Sequence, residues 1–135
     1  MNEIIEKEEC RKVELILTGL EMATSLYALE SYKVYIGYRK KTDKGLESLM
    51  KSIFVELKPT IRLLKKRSAL SVNDLHNLIS SLFFLKEHFL NDNILSPEDK
   101  IKYKRDIARI DVIFDKIRSL VESNKELGVL KYSLP

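Results

Sequence analysis

From Val13 onward, the apolar residues Ile16, Leu17, Leu20, Ala23, Tyr27, Val34 and Tyr38 recur three and four apart, the spacing of one helical face. Leu15, Met22, Leu26, Leu29 and Ile36 form a second stripe beside it. An apolar surface that wide must touch more than one neighbour. With Asn2 as a cap, a first helix is predicted over residues 3–40. Gly19 costs it about 1 kcal/mol relative to alanine, and close approach of a packed helix is the expected reason.

Thr42 and Asp43 are good helix starters, and Leu46, Leu49, Met50, Ile53, Leu57, Ile61 and Leu64 follow as the cleanest amphipathic stripe in the chain. This predicts a second helix over 43–67. Pro59 removes one backbone donor and crowds the carbonyl of Val55, so a kink or break is expected there. Because the stripe keeps its phase beyond Pro59, a kink is favoured. Ser71 reads as the cap of a third helix over 72–91, with Asp74 at its third position and a buried face of Leu75, Leu78, Ile79, Leu82, Leu85 and Phe89. Ser96-Pro97-Glu98-Asp99 is the strongest start signal: a serine cap, proline at the first helical position and two acids at the positive end of the dipole. The fourth helix is predicted over 97–127, lined by Tyr103, Ile107, Ile110, Phe114, Ile117 and Val121 and stopped by Gly128.

Amphipathic helices joined by short connections pack as antiparallel neighbours. The expected fold is all-α, an up-down-up-down four-helix bundle forming a single domain, with first and fourth helices longer than second and third. The longer pair should overhang at one pole. There Ile4 and Ile5 can meet Leu120, Val121 and Leu127, an apolar contact expected to serve as an oligomer interface.

Composition agrees with this reading. At 135 residues the chain is of single-domain length, and four glycines and three prolines speak against a sandwich, a barrel or a disordered chain. The one cysteine, Cys10, cannot close an intrachain bridge. The first twelve residues hold four glutamates and no signal-like apolar run, and the longest apolar stretches are far short of a membrane span. A cytoplasmic protein with no membrane partner is expected.

The net charge of +4 matters only through its placement. Residues 33–44 carry Lys33, Arg39, Lys40, Lys41 and Lys44 against Asp43 alone, and residues 98–106 add Lys100, Lys102, Lys104 and Arg105 against Glu98, Asp99 and Asp106. In the expected bundle both segments lie at one pole, together with Tyr32, Tyr35, Tyr38 and Tyr103. Cations interleaved with tyrosines suit a phosphate backbone whose bases can stack. A nucleic-acid site, or a site for another polyanion, is therefore expected at Tyr38, Arg39, Lys40, Lys41, Lys44, Lys100, Lys102, Tyr103, Lys104 and Arg105. The run from Lys58 to Arg67 is also basic, but cations in a last helical turn have a structural reason through the dipole.

Catalytic patterns are missing. His76 and His88 stand twelve residues apart, over three turns along one helix, too far to share a metal. No Glu-x-x-His pair of a di-iron bundle occurs, nor a glycine-rich phosphate loop, nor a G-x-S-x-G turn. No catalytic residue, metal or cofactor is expected. Two functions remain: a non-catalytic bundle holding nucleic acid, or an adaptor or inhibitor holding a partner protein through an apolar groove or the overhanging helix pair.

Overall fold

The computed structural model describes residues 12–42, 44–90 and 96–135. Every regular element among them is helical: α1 (Gly19–Thr42), a 3₁₀ turn (Lys44–Leu46), α2 (Glu47–Lys65), α3 (Val72–Leu90), α4 (Pro97–Ser123) and a 3₁₀ segment (Lys125–Tyr132). α1 and α4 have 24 and 27 residues, against 19 each for α2 and α3. α1 packs on all three of the others, α3 packs on α2 and α4, and the 3₁₀ segment seals α4 and α3. None of the described helices is long and apolar enough to cross a membrane.

The start of α1 corrects the prediction. Residues 12–18 are extended rather than helical, and Val13 exchanges two backbone hydrogen bonds of 2.8 Å with Leu70. The helix begins where Thr18 and Glu21 form a reciprocal box. The Thr18 amide donates to Glu21 Oε1 at 2.9 Å, and the Glu21 amide donates to Thr18 Oγ1 at 3.2 Å. Lys116 Nζ of α4 adds a 2.5 Å bond to the same carboxylate and reaches the Ile16 carbonyl at 3.2 Å. Burial alone would raise the pKa of Glu21, but the bonds from Lys116 and Thr18 outweigh it and hold the carboxyl below its ordinary value. Gly19 therefore sits in the first turn, and a Cβ there would meet nothing within 4 Å, so no close approach explains it. The position expected as the cap, Asn2, lies outside the described residues.

Other ends follow local chemistry more closely. Ser71 Oγ and its amide both donate to Asp74 Oδ2, at 2.9 and 3.0 Å, and Ser96 accepts from the Asp99 amide at 3.2 Å with Pro97 at the first helical position. α2 runs unbroken through Pro59. Its start is later than predicted. Thr42 closes α1 by donating to the Tyr38 carbonyl, and Leu46 precedes α2 without a side-chain cap. α2 ends in a Schellman turn: Ser68 N–H bonds the Leu63 carbonyl and Arg67 N–H the Leu64 carbonyl, with Arg67 at φ 52° where glycine is usual. The Arg67 guanidinium then donates to the Leu17 carbonyl at 2.9 Å, which pins the extended segment to this corner. α4 stops at Asn124, four residues before Gly128. The Asn124 side-chain Nδ2 donates to the Leu120 carbonyl at 2.9 Å in place of a further helical turn.

The core is built from Leu29 and Ile36 of α1, Leu57, Ile61 and Leu64 of α2, Leu75, Leu78 and Leu82 of α3, and Ile110, Phe114 and Ile117 of α4. One polar network crosses it. Thr60 Oγ1 donates to Asp74 Oδ1 at 2.6 Å and accepts from Asn77 Nδ2 at 3.2 Å, joining α2 to α3.

Candidate functional site

α1 carries two apolar stripes, and it buries the second. Met22, Ala28, Leu29 and Ile36 are in the core, while Leu20, Tyr27, Val34 and Tyr38 are 65%, 59%, 72% and 64% exposed. Ile16, just upstream, is 78% exposed. The residues expected to pack the bundle therefore face outward. From Leu20 to Tyr38 the stripe runs about 27 Å along the helix.

Two hollows border it on one side. The first is lined by Leu20, Ala23 and Tyr27 of α1, Leu85 and Phe89 of α3, and Lys102, Tyr103, Asp106 and Arg109 of α4. The second takes Tyr27, Ser31, Val34 and Tyr35 with Phe84, Leu85 and His88. Sharing Tyr27 and Leu85, they make one trough. Its floor is a row of ring contacts: Tyr35 on Phe84 at 4.7 Å, Phe84 on His88 at 6.5 Å, His88 on Phe89 at 6.3 Å, and Phe89 on Tyr103 at 4.3 Å. Tyr32 joins the row at Phe84, 5.5 Å away, and burial followed by the neighbouring Tyr35 raises its phenol pKa. On the α4 wall, Asp106 is held by Arg109 at 3.1 Å, which leaves Lys102 as the wall's unpaired charge among the described residues.

A third hollow lies across α1, between α1 and α2, lined by Val34, Gly37, Tyr38, Lys40, Lys41 and Phe54. A Cβ on Gly37 would come within 3.3 Å of Phe54 Cε2, so the missing side chain is what lets that ring lie against the α1 backbone. Lys33, Lys40 and Lys58 stand over the same ring, with their ammonium nitrogens 5.7, 5.3 and 5.3 Å from its centroid.

The ten residues of the expected nucleic-acid pole are thus divided. Tyr38, Lys40 and Lys41 meet at the α1/α2 hollow. Arg39 turns the other way, donating to Tyr35 Oη at 2.6 Å. Lys44 opens the 3₁₀ turn. Lys102 and Tyr103 line the trough beside Leu20 and Tyr27, some 20 Å back along α1 from Lys40. Tyr103 is half-buried on Phe89, and Lys100, Lys104 and Arg105 are exposed on the first turns of α4. Phe54 and Lys58 were not among the expected site residues. Their four-residue spacing on one helix was a usable signal.

The expected oligomer contact is also revised. Leu127 is 1% exposed in the chain's own core, and Leu120 packs against that core. Ile4 and Ile5 lie outside the described residues. Among the described residues, no three His, Cys, Asp or Glu side chains are placed to hold a metal ion. No protein family, curated protein or solved structure matches the chain.

Proposed function

We propose that this chain is a non-catalytic protein-binding module, and that an amphipathic helix of a partner protein lies in the trough along α1. The observation that carries the reading is the stripe of Leu20, Tyr27, Val34 and Tyr38, each more than half exposed on one helix. Single exposed apolar residues need no explanation, but an aligned row beside an aromatic floor marks an interaction surface. About 27 Å of stripe accommodates some eighteen residues of partner helix. Lys102 on the α4 wall favours a partner helix with an acidic flank.

The scaffold is, in this reading, the antiparallel four-helix bundle. Its supports are the pairing of Glu30 with Lys65 and of Gly37 with Phe54 between α1 and α2, and of Thr24 with Arg109 and Glu21 with Lys116 between α1 and α4. In both pairs of helices the sequence numbers run in opposite directions.

Two model peptides of eighteen residues, one alternating Leu with Glu in a helical pattern and the other Leu with Lys, test the proposal by calorimetric titration. The Leu/Glu peptide should bind, and Tyr27→Lys with Val34→Lys should abolish binding while leaving the helical circular dichroism intact. Equal binding to the doubly substituted chain, or no binding of either peptide, overturns it.

A further inference from the structure

We propose a second site: the α1/α2 hollow around Phe54 binds single-stranded nucleic acid, with Lys33, Lys40 and Lys58 on backbone phosphates and Tyr38 as a base-stacking surface. The geometry follows from one glycine. Phe54 seats against Gly37, and Lys33 and Lys40 stand four residues before and three residues after Gly37, so both project on the side of α1 that meets the ring. Lys58 stands one turn after Phe54 on α2 and closes the group from the other helix. Three ammonium groups thus lie within 6 Å of one ring centroid, and none of them forms an ion pair among the described residues.

Cations gathered without an ion pair among the described residues repel one another, and a bound polyanion relieves that repulsion while releasing its own counterions. The aromatic component selects the kind of polyanion. Tyr38 lines the same hollow at 64% exposure, with Lys40 and Lys41 flanking it in that hollow. An exposed ring beside phosphate-binding cations suits unpaired bases, which a duplex keeps stacked on each other. Val34 and Tyr38 stand in both the stripe and this hollow, but Lys33, Phe54 and Lys58 take no part in the trough, so substitutions at the lysines let the two proposals fail separately.

Fluorescence anisotropy of 5′-labelled oligo-dT and oligo-U of twenty nucleotides tests the site between 50 and 300 mM salt. Three neutralised phosphates give a slope of log affinity on log salt near −2, about 0.7 for each phosphate of a single strand. The triple variant Lys33→Gln, Lys40→Gln, Lys58→Gln should lose that slope and about 100-fold in affinity at 0.1 M salt. Tyr38→Ala should lose roughly 5- to 150-fold with the slope unchanged. Both variants alter surface positions, and circular dichroism checks that each remains folded; the single variants K33Q and K58Q should each remove about 0.7 of slope. Absence of binding at 50 mM salt, or a slope unchanged in the triple variant, overturns the site. Equal competition by inorganic polyphosphate together with full affinity of Tyr38→Ala overturns the nucleic-acid assignment, leaving a general anion surface.

Discussion

Replacing Leu29 and Val34 by alanine, one at a time, separates the two stripes of α1 by stability alone. Leu29 has no exposed surface, so Leu29→Ala removes buried methyl groups and leaves a cavity in the core. Such changes cost about 2–5 kcal/mol, a large part of the roughly 5–15 kcal/mol that holds a domain together. Val34 is 72% exposed, which places Val34→Ala within about 0.5 kcal/mol of neutral. The better helix propensity of alanine pushes the sign toward stabilisation. For a chain of this size, 1 kcal/mol moves the midpoint of thermal unfolding by about 3–5 °C. Leu29→Ala should therefore melt roughly 6–25 °C lower, and Val34→Ala within about 3 °C of the parent. Urea titration followed by circular dichroism gives the free energies, with an unchanged m-value confirming that the unfolding reaction is the same. A Val34→Ala loss above about 1.5 kcal/mol would mean that this face is packed after all, and the trough with it.

Three further outcomes follow from the joints of the fold. Glu21→Gln should cost roughly 1–2 kcal/mol at pH 7, since the charged carboxylate accepts from Lys116 and Thr18. Because the folded pKa of Glu21 lies below its unfolded value, this stability is complete above about pH 4.5 and is lost as pH falls through the folded pKa. Parent and Glu21→Gln unfolding curves should therefore converge in acid; a gap that persists at low pH refutes the carboxylate's role. Thr60→Val keeps the shape but takes the donor from Asp74 Oδ1 inside the α2/α3 joint, and a loss of about 2 kcal/mol is expected in chemical denaturation, with Thr60→Ser near neutral. Gly19→Ala should stabilise by about 0.4–1 kcal/mol, because its φ is not positive and the new methyl meets nothing; a destabilised variant would restore the close-approach explanation.

What could be read from the sequence divides along the range of the interactions. Ser71 with Asp74, and Ser96 with Pro97 and Asp99, cap their helices through neighbours three residues away, so the signal and its cause lie in one short window. The Thr18-Gly19-Leu20-Glu21 box has the same form, yet the apolar rhythm of Val13, Ile16 and Leu17 continued across it and implied an earlier start. That rhythm had another source: Val13 pairs with Leu70 and Leu17 is buried, as an extended strand-like segment with alternating contacts also permits. The choice between the stripes of α1 was not local at all. Both faces are apolar, and the buried one includes Ser25, Thr24 and Glu21, so amphipathy gave no direction. Lys116 of α4 and Arg109 of α4 decide it by bonding Glu21 and Thr24 from ninety or so residues away.

The same division explains the cations. Tyr38, Lys40 and Lys41 were found because they are adjacent in the chain, and they do share a hollow. Their union with residues 100–105 required the first turns of α4 to end level with the end of α1. Instead Tyr103 stacks on Phe89, and Lys102 shares a hollow with Leu20 and Tyr27 rather than with Tyr38 and Lys40. The aromatic row thus forms the floor between α1 and α4, with Lys102 at its edge. A basic pole imagined as one patch thus becomes two surfaces with different chemistry. One is an apolar trough with a cationic lip, suited to a helix. The other is a lysine group around a single phenyl ring, suited to phosphates. Substitutions at Tyr27 and at Lys58 should consequently act on different ligands, and a chain changed at both positions should lose both affinities independently, since Tyr27 lines the trough while Lys58 meets Phe54 in the hollow across α1.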